Sequence, residues 1–170
     1  MAYLLDTGVL IEAKRRFYGL DFVPGYWQWL MAQAQAGAVL SIERVADEID
    51  AQQDDLSAWA ATLPGGFFLR PDATFSPAFQ RVSQWAVSNG FHQAAQAEFL
   101  DVADSYLVAQ ALAGAHTVVT LEKPATTPSK KKIKVPDACA ALGIKCMTPY
   151  AVMRLMGVRL VLASAGAPAT

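Results

Sequence analysis

Residues 3–12 of this 170-residue chain read YLLDTGVLIE, and this stretch decides the fold. A short, wholly apolar run ends at Asp6 and turns at once into a helical pattern. An apolar run this short predicts a buried strand of a parallel sheet. In open α/β sheets, ligands bind just beyond the carboxyl ends of the strands, so Asp6 stands where a ligand is expected. The alternative is that Asp6 caps the following helix, and this stretch alone does not decide between the two roles.

Short apolar runs and helical patterns alternate along the rest of the chain. Further strands are predicted at residues 38–40, 118–120 and 144–147. Helices are predicted at residues 9–16, 24–36, 56–63, 77–88, 93–100, 102–113, 137–142 and 150–156, with another after Ser41 as its N-cap. This alternation predicts an α/β fold, a three-layer α/β/α domain with a central parallel sheet. We expect the domain over residues 1–160 and a flexible C-terminal tail at residues 161–170.

The composition indicates which broad classes of protein are expected for this chain. Apolar residues make up 54% of the chain and charged residues 17%, which predicts a folded domain. Polar or charged residues interrupt every apolar stretch, so we expect no membrane association. There is no basic, cleavable leader pattern and there are only two cysteines, which together predict a cytoplasmic location. A net charge of −1 gives no global basic field for nucleic acid.

Positive charge is instead concentrated in two short clusters. One comprises Lys14, Arg15 and Arg16, and the other lies in residues 130–134, inside a proline-containing segment at 123–135 that is predicted to be a mobile loop. Such clusters either contact phosphates or form ordinary solvated surface, and the sequence does not decide between these roles.

Four acids lie either directly after a predicted strand or within a predicted helix. Asp6 and Glu122 each follow a strand, and Glu48 lies in the helix after the second strand. Asp104 lies in the helix at residues 102–113, which is apolar almost all round apart from Asp104, Ser105 and Gln110 and is therefore predicted to be buried. Carboxylate oxygens are the ligands that Mg²⁺ and Mn²⁺ prefer, so these acids are candidates for one metal site.

Each acid also has an ordinary alternative. Helical periodicity does not choose between Glu48 and its neighbours Glu43 and Asp50, and Asp104 is placed to cap a helix that begins near Ser105. Glu122 has a loop role as its alternative, and Asp101 and Asp137 are further candidates for which an ordinary capping role is favoured. The chain has no glycine-rich phosphate loop, nucleophile elbow or Cys-x-x-Cys motif, which disfavours those chemistries.

Four stretches resemble PIN domains in their order and spacing. These are LLDT at 4–7, VADEI at 45–49, ADSYLVA at 103–109 and VVTLE at 118–122. Residues 11–16, 122–124 and 134–137 are similar to a subgroup of that family, and the resemblance extends from Tyr3 to Gly157. It implies a PIN-like (Rossmann-like) domain that is a Mg²⁺- or Mn²⁺-dependent ribonuclease, typically the VapC-like toxin of a bacterial toxin–antitoxin pair.

The resemblance also implies roles for individual acids. Asp6, Glu48 and Asp104 match the three central acids, which serve as metal ligands and catalytic residues. Glu122 lies where the family has a fourth catalytic acid, most often Asp. Gly8 occupies a position that is commonly Asn or Ser in relatives, whose side chain helps to orient the first aspartate.

Further expectations concern residues around the acids and the partners of the chain. Thr7 and Thr120 are expected to orient the metal-binding acids. The residues expected to contact RNA phosphates are Lys130, Lys131, Lys132 and Arg15. An antitoxin protein is the expected partner, and a homodimer is one assembly open to the chain. The alternatives are a non-catalytic PIN scaffold that binds RNA or protein, and a structure-specific DNA nuclease.

Overall fold

The computed structural model describes residues 1–127 and 129–162, and most of the predicted C-terminal tail lies outside the described residues. Its central sheet has five strands, all parallel, in the order β3-β2-β1-β4-β5. The strands are β1 (Tyr3–Leu5), β2 (Val39–Ile42), β3 (Phe68–Leu69), β4 (Thr117–Val119) and β5 (Cys146–Met147). The predicted three-layer α/β/α fold with a parallel sheet is confirmed.

Helices connect and cover these strands. They are α1 (Thr7–Glu12), α2 (Pro24–Gln35), α3 (Glu43–Asp50), α4 (Asp55–Ala60), α5 (Phe75–Ser88), α6 (Gln93–Asp101), α7 (Ala103–Gly114), α8 (Val135–Leu142) and α9 (Pro149–Leu155). The first helix begins two residues earlier than predicted, and its expected second half is a π-helical turn at Ala13–Phe17. The helix at α2 agrees with its prediction to within one residue. Among the described residues, no helix is both long and apolar enough to cross a bilayer.

The buried helix α7 runs across the centre of the fold. It contacts β2 and β4, the two strands on either side of β1, and it packs against α3, α5, α6 and α8. Its residues Leu107, Val108 and Ala109 are completely buried, as the all-round apolar pattern predicts. The N-terminus of α7 is therefore held close to the carboxyl edge of the sheet, which brings Asp104 toward Asp6.

The prediction that Ser41 caps a helix is wrong. Ser41 lies within β2, is fully buried, and donates a 2.7 Å hydrogen bond from its hydroxyl to the carbonyl oxygen of Leu5. The following helix begins at Glu43 with Ile42 as its N-cap residue. A hydroxyl that is satisfied across the sheet has no capping role, and β2 therefore extends two residues further than predicted.

Strand β3 was not predicted at all. It is only two residues long and pairs Phe68 with Ser41 and Leu69 with Ile42. Two residues carry no periodicity, so nothing in the local pattern distinguishes such a strand from a loop.

Candidate metal centre

Asp6 lies where the carboxyl ends of β1 and β4 meet. Leu5 pairs with Val119, so the next residues, Asp6 and Thr120, are neighbours just beyond the sheet. The Thr120 hydroxyl donates a 2.7 Å hydrogen bond to Asp6 Oδ2; Asp6 is also the N-cap residue of α1, where the nearby N–H of Gly8 favours its charge without a well-formed capping hydrogen bond. The structure thus favours the ligand-site role of Asp6 over the capping role.

Burial has the largest effect on the pKa of Asp6. Its side chain is only 8% exposed, and this desolvation raises its pKa. The Thr120 hydroxyl and the backbone amide of Gly8 favour the charged form, while Glu122 and Glu48 oppose it through their own charge. The net effect is a raised pKa, as expected of an anion that lacks a cationic partner.

Glu48 uses both of its oxygens in hydrogen bonds that join three helices. Its Oε2 accepts a 2.5 Å bond from Thr7 Oγ1 in α1, and its Oε1 accepts a 3.1 Å bond from the backbone N–H of Ala103, the first residue of α7. A free N–H at a helix N-terminus requires such an acceptor, and the helix dipole there favours a negative charge. Glu48 therefore fixes the start of α7 against α3.

These contacts also distinguish Glu48 from Glu43 and Asp50, the two other acids of α3 that helical periodicity leaves as candidates. Glu43 forms an ion pair with Arg70, and Asp50 is exposed. Neither makes a described contact with the other candidate acids. Of the three acids that periodicity leaves equivalent, Glu48 is the one joined to the rest of the candidate site by hydrogen bonds.

Asp104 is the second residue of α7, and its pKa responds both to burial and to the neighbouring acids. Its pKa is raised to about 7, first by burial and then by the charges of Asp6, Glu122 and Glu48, with Lys132 acting in the opposite direction. The N-cap of α7 is Val102, and Asp104 makes no side-chain hydrogen bond or ion pair within the described part of the chain. The capping alternative therefore does not apply.

Glu122 is attached to the loop and to α8. Its Oε2 accepts a 2.9 Å hydrogen bond from the backbone N–H of Val135, the first residue of α8, and its Oε1 lies 3.7 Å from Lys132 Nζ. Its own N–H donates a 3.1 Å bond to Thr120 Oγ1. Thr120 thereby connects Asp6 with Glu122, and the role of Glu122 as an unattached loop residue does not apply.

The fit to Mg²⁺ depends on which oxygens remain available. Within residues 1–127 and 129–162, no three acidic, histidine or cysteine side chains are gathered into a ready-made metal site. Asp104 has both oxygens free of described hydrogen bonds and Asp6 has Oδ1 free, whereas each oxygen of Glu48 already accepts one bond. Mg²⁺ keeps several waters and is held by one or two carboxylates. Asp6 and Asp104 are therefore the two acids with carboxylate oxygens available to such an ion.

Gly8 leaves open space beside Asp6. A Cβ atom at residue 8 would lie 3.7 Å from Asp6 Oδ2, an ordinary van der Waals distance. A side chain at this position could therefore reach the carboxylate without displacing it. In this chain Thr120 orients Asp6 without such help.

The predicted phosphate-binding residues do not all lie at the acids. Lys132 does, beside Glu122. Lys130 donates instead to the carbonyl of Asn89 at 2.6 Å and lies 4.6 Å from the ring centroid of Phe91, so it attaches the loop to the end of α5. Lys131 is exposed.

The N-terminal basic cluster is largely engaged by neighbouring side chains. Arg15 bonds Gln52 at 2.7 Å, and Lys14 forms ion pairs with Asp54 and Asp55. No described contact connects these residues with the four acids. Asp137, which the sequence treats as a helix cap, accepts hydrogen bonds from the N–H of Ala125 and so holds the loop.

A pocket near the carboxyl ends of β2 and β3 was not predicted from the sequence. It lies between α3, α5 and α7, has a volume of about 290 Å³, and is lined in part by Arg44, Tyr106 and Gln110. The available signal was Gln110, a polar residue that interrupts the apolar pattern of α7, but sequence alone does not reveal what faces it.

A family model described as Domain of unknown function (DUF4411) matches residues 3–160 of the chain. Neither the curated proteins nor the solved structures contain a match. The family description names no activity, so the resemblance to PIN domains stays a prediction.

Proposed function

We propose that this chain, which belongs to the family described as Domain of unknown function (DUF4411), is a PIN-like metal-dependent ribonuclease that hydrolyses phosphodiester bonds in RNA. The observation that carries this proposal is the mutual electrostatic effect of the acids at the carboxyl edge of the sheet. Burial first, and then the charges of Asp6, Glu122 and Glu48, raise the pKa of Asp104 to about 7. A group of acids that disfavours its own charge in this way is stabilised by a divalent cation.

In this proposal Asp6 and Asp104 hold Mg²⁺ or Mn²⁺. An ion held there would lower the pKa of a water ligand and offset negative charge on the reacting phosphate. Asp104 must lose its proton before it can act as a ligand. Thr120 keeps Asp6 Oδ2 in a fixed direction, and Glu48 holds the backbone next to Asp104 in place.

Lys132 supplies the positive charge nearest to the acids. An acidic site repels the RNA backbone, and an ammonium group 3.7 Å from Glu122 offsets part of that repulsion. Lys131 is exposed on the same segment and is placed to contact a neighbouring phosphate. Lys130 holds the loop by its hydrogen bond to the carbonyl oxygen of Asn89. Arg15 is a candidate for a more distant phosphate.

The toxin role, an antitoxin protein as partner and a cytoplasmic location form part of the same proposal, and they rest on the resemblance to PIN domains. A homodimer is compatible with it. One observation favours the second candidate function, a non-catalytic scaffold that binds RNA: three ligands are not gathered into a ready-made metal site in the described part of the chain.

RNA cleavage by purified protein separates these two functions. We expect cleavage with Mg²⁺ or Mn²⁺, none with EDTA, and a loss of about 100-fold or more in Asp6→Asn, the scale of losing a key electrostatic group. Asp50→Asn, which removes an exposed carboxylate of α3, is the matched control and should cleave normally. RNA binding without metal-dependent cleavage would favour the scaffold, and cleavage that persists in Asp6→Asn would indicate a contaminating nuclease.

A further inference from the structure

The pocket between α3, α5 and α7 opens at the same edge of the sheet as the acids. Ile42 and Leu69, the paired last residues of β2 and β3, form part of its wall. Arg44 lies four residues before Glu48 in α3, and residues at this spacing lie on the same face of a helix. Arg44, on the wall of the pocket, is therefore about one helical turn from Glu48.

Gln110 gives the pocket an unsatisfied polar group. Its side chain is only 7% exposed, and its amide makes no hydrogen bond with any residue in the described ranges. In those ranges, every side-chain N or O atom that is fully enclosed has a hydrogen-bond partner. The amide of Gln110 has no such partner, so it is not enclosed and reaches the open space of the pocket. A primary amide offers a donor and an acceptor side by side, and here both are available to a ligand in the pocket.

Arg44 and Tyr106 form a planar wall beside this amide. The guanidinium carbon of Arg44 lies 4.5 Å from the centroid of the Tyr106 ring, and its Nη2 donates a 3.1 Å hydrogen bond to the Tyr106 hydroxyl. Phe75 stacks on the same ring at 5.8 Å. Tyr106 and Gln110 are four residues apart and so lie on the same face of α7. The side chain of Arg44 is exposed, which leaves guanidinium surface open for stacking.

The charges of the pocket favour a neutral ring over an anion. Arg44 is accompanied in the lining by two acids, Asp47 and the Arg70-paired Glu43, so a free phosphate or carboxylate would not meet an excess of positive charge. A nucleobase carries no charge, stacks on arginine planes and aromatic rings, and presents donors and acceptors along its edge. A volume of about 290 Å³ accommodates one base together with part of its ribose.

We infer that this pocket binds one unstacked base of the RNA substrate, close to the cleaved bond, and that Gln110 reads that base. Adenine is the expected base because a glutamine amide pairs with it through two hydrogen bonds. This inference rests on the proposed function, since it takes single-stranded RNA as the ligand. It assigns Gln110 a role in base specificity and Arg44 a role in stacking.

Binding of fluorescein-labelled RNA octamers, measured by anisotropy in EDTA, tests the inference without any cleavage. We expect wild-type protein to bind oligo(A) on the order of tenfold more tightly than oligo(U). Gln110→Met, which keeps the length of the side chain, should reduce this ratio to about one. Arg44→Gln should weaken binding of both octamers, whereas Arg81→Gln, the loss of an exposed arginine of α5 that does not line the pocket, should weaken neither.

The outcomes separate this inference from the proposed function. A preference for adenine that disappears in Gln110→Met supports the pocket, even if the protein shows no nuclease activity. Equal binding of the two octamers by wild-type protein, or a preference that survives in a folded Gln110→Met variant, overturns the pocket, even if metal-dependent cleavage is observed. Thermal unfolding of each variant establishes that it is folded.

Discussion

The hydroxyl of Thr120 and the carboxylate of Asp6 are joined by a 2.7 Å hydrogen bond across the carboxyl ends of two neighbouring parallel strands. Both side chains are buried, at 1% and 8% exposure. This bond fixes one oxygen of Asp6 and leaves the other available. Thr120 Oγ1 also accepts a hydrogen bond from the N–H of Glu122. One hydroxyl therefore contacts two of the four acid residues.

Removing this hydroxyl should therefore affect both stability and metal binding. Thr120→Val keeps the shape of the side chain but leaves Asp6 Oδ2 and the N–H of Glu122 without a partner. We expect a loss of about 1–3 kcal/mol in the free energy of unfolding, measured by urea denaturation, and weaker Mn²⁺ binding. Thr117→Val, at a buried threonine of the same strand with no described contact to the acids, should leave Mn²⁺ affinity unchanged. Equal Mn²⁺ affinity in both variants would contradict this role of Thr120.

The raised pKa of Asp104 predicts a specific pH dependence of stability. In the unfolded chain Asp104 titrates near 3.8, and in the folded chain near 7. Between these values the folded state holds a proton that the unfolded state has released, so the free energy of unfolding falls as the pH rises from about 4 to about 7.

Asp104→Asn removes this dependence. The variant should be more stable than wild type by roughly 1–3 kcal/mol at pH 8 and should gain no such advantage at pH 4. Urea unfolding at pH 4, 6 and 8 measures the difference, with Asp50→Asn as the control for loss of an exposed charge. The same advantage at all three pH values would show that Asp104 is not the group that titrates. Saturating Mn²⁺ should restore the stability of wild type at pH 8.

Glu48 combines a structural role with an electrostatic role, and two substitutions separate them. Glu48→Gln keeps an acceptor for the N–H of Ala103 and a polar partner for Thr7, so its stability should stay close to that of wild type. Glu48→Ala leaves both groups unpaired and should cost about 1–3 kcal/mol. Both variants lose the charge, so the pKa of Asp104, followed by NMR, should fall in each. An unchanged Asp104 pKa in Glu48→Gln would mean that the two acids do not interact.

The lysines of the loop should differ in their effect on RNA binding. Lys132→Gln should flatten the slope of log affinity against log salt by about 0.7, the value for one phosphate contact on a single strand. Lys145→Gln, an exposed lysine just before β5 and therefore at the opposite, amino edge of the sheet, should leave the slope unchanged. A flatter slope in both variants would assign the effect to net charge alone.

Much of the fold could be predicted because its determinants are local. The apolar run that ends at Asp6 and the helix without a polar face are properties of short stretches, and both predictions are confirmed. The two-residue strand β3 and the burial of Ser41 depend on pairing with distant residues, which no local pattern records.

The candidate site was likewise predictable where local patterns determine it and not where contacts between distant residues do. Sequence places Asp6 and Asp104 at informative points, but periodicity leaves Glu48 equivalent to Glu43 and Asp50, and only the resemblance to PIN domains selects it. The hydrogen bonds of Glu48 to Thr7 and Ala103 span 41 and 55 residues. Only the folded chain shows which acid of α3 meets α7, and the same is true of the pocket that Gln110 faces.

A calorimetric titration of metal-free protein with Mn²⁺ at pH 8 tests the central claim most directly. Wild-type protein should bind Mn²⁺ with a dissociation constant in the micromolar to millimolar range, and Asp6→Asn and Asp104→Asn should each weaken binding at least about tenfold while remaining folded. Asp50→Asn should bind as wild type does. Full wild-type affinity in both Asp6→Asn and Asp104→Asn would contradict the account, because the metal would then be held elsewhere in the protein.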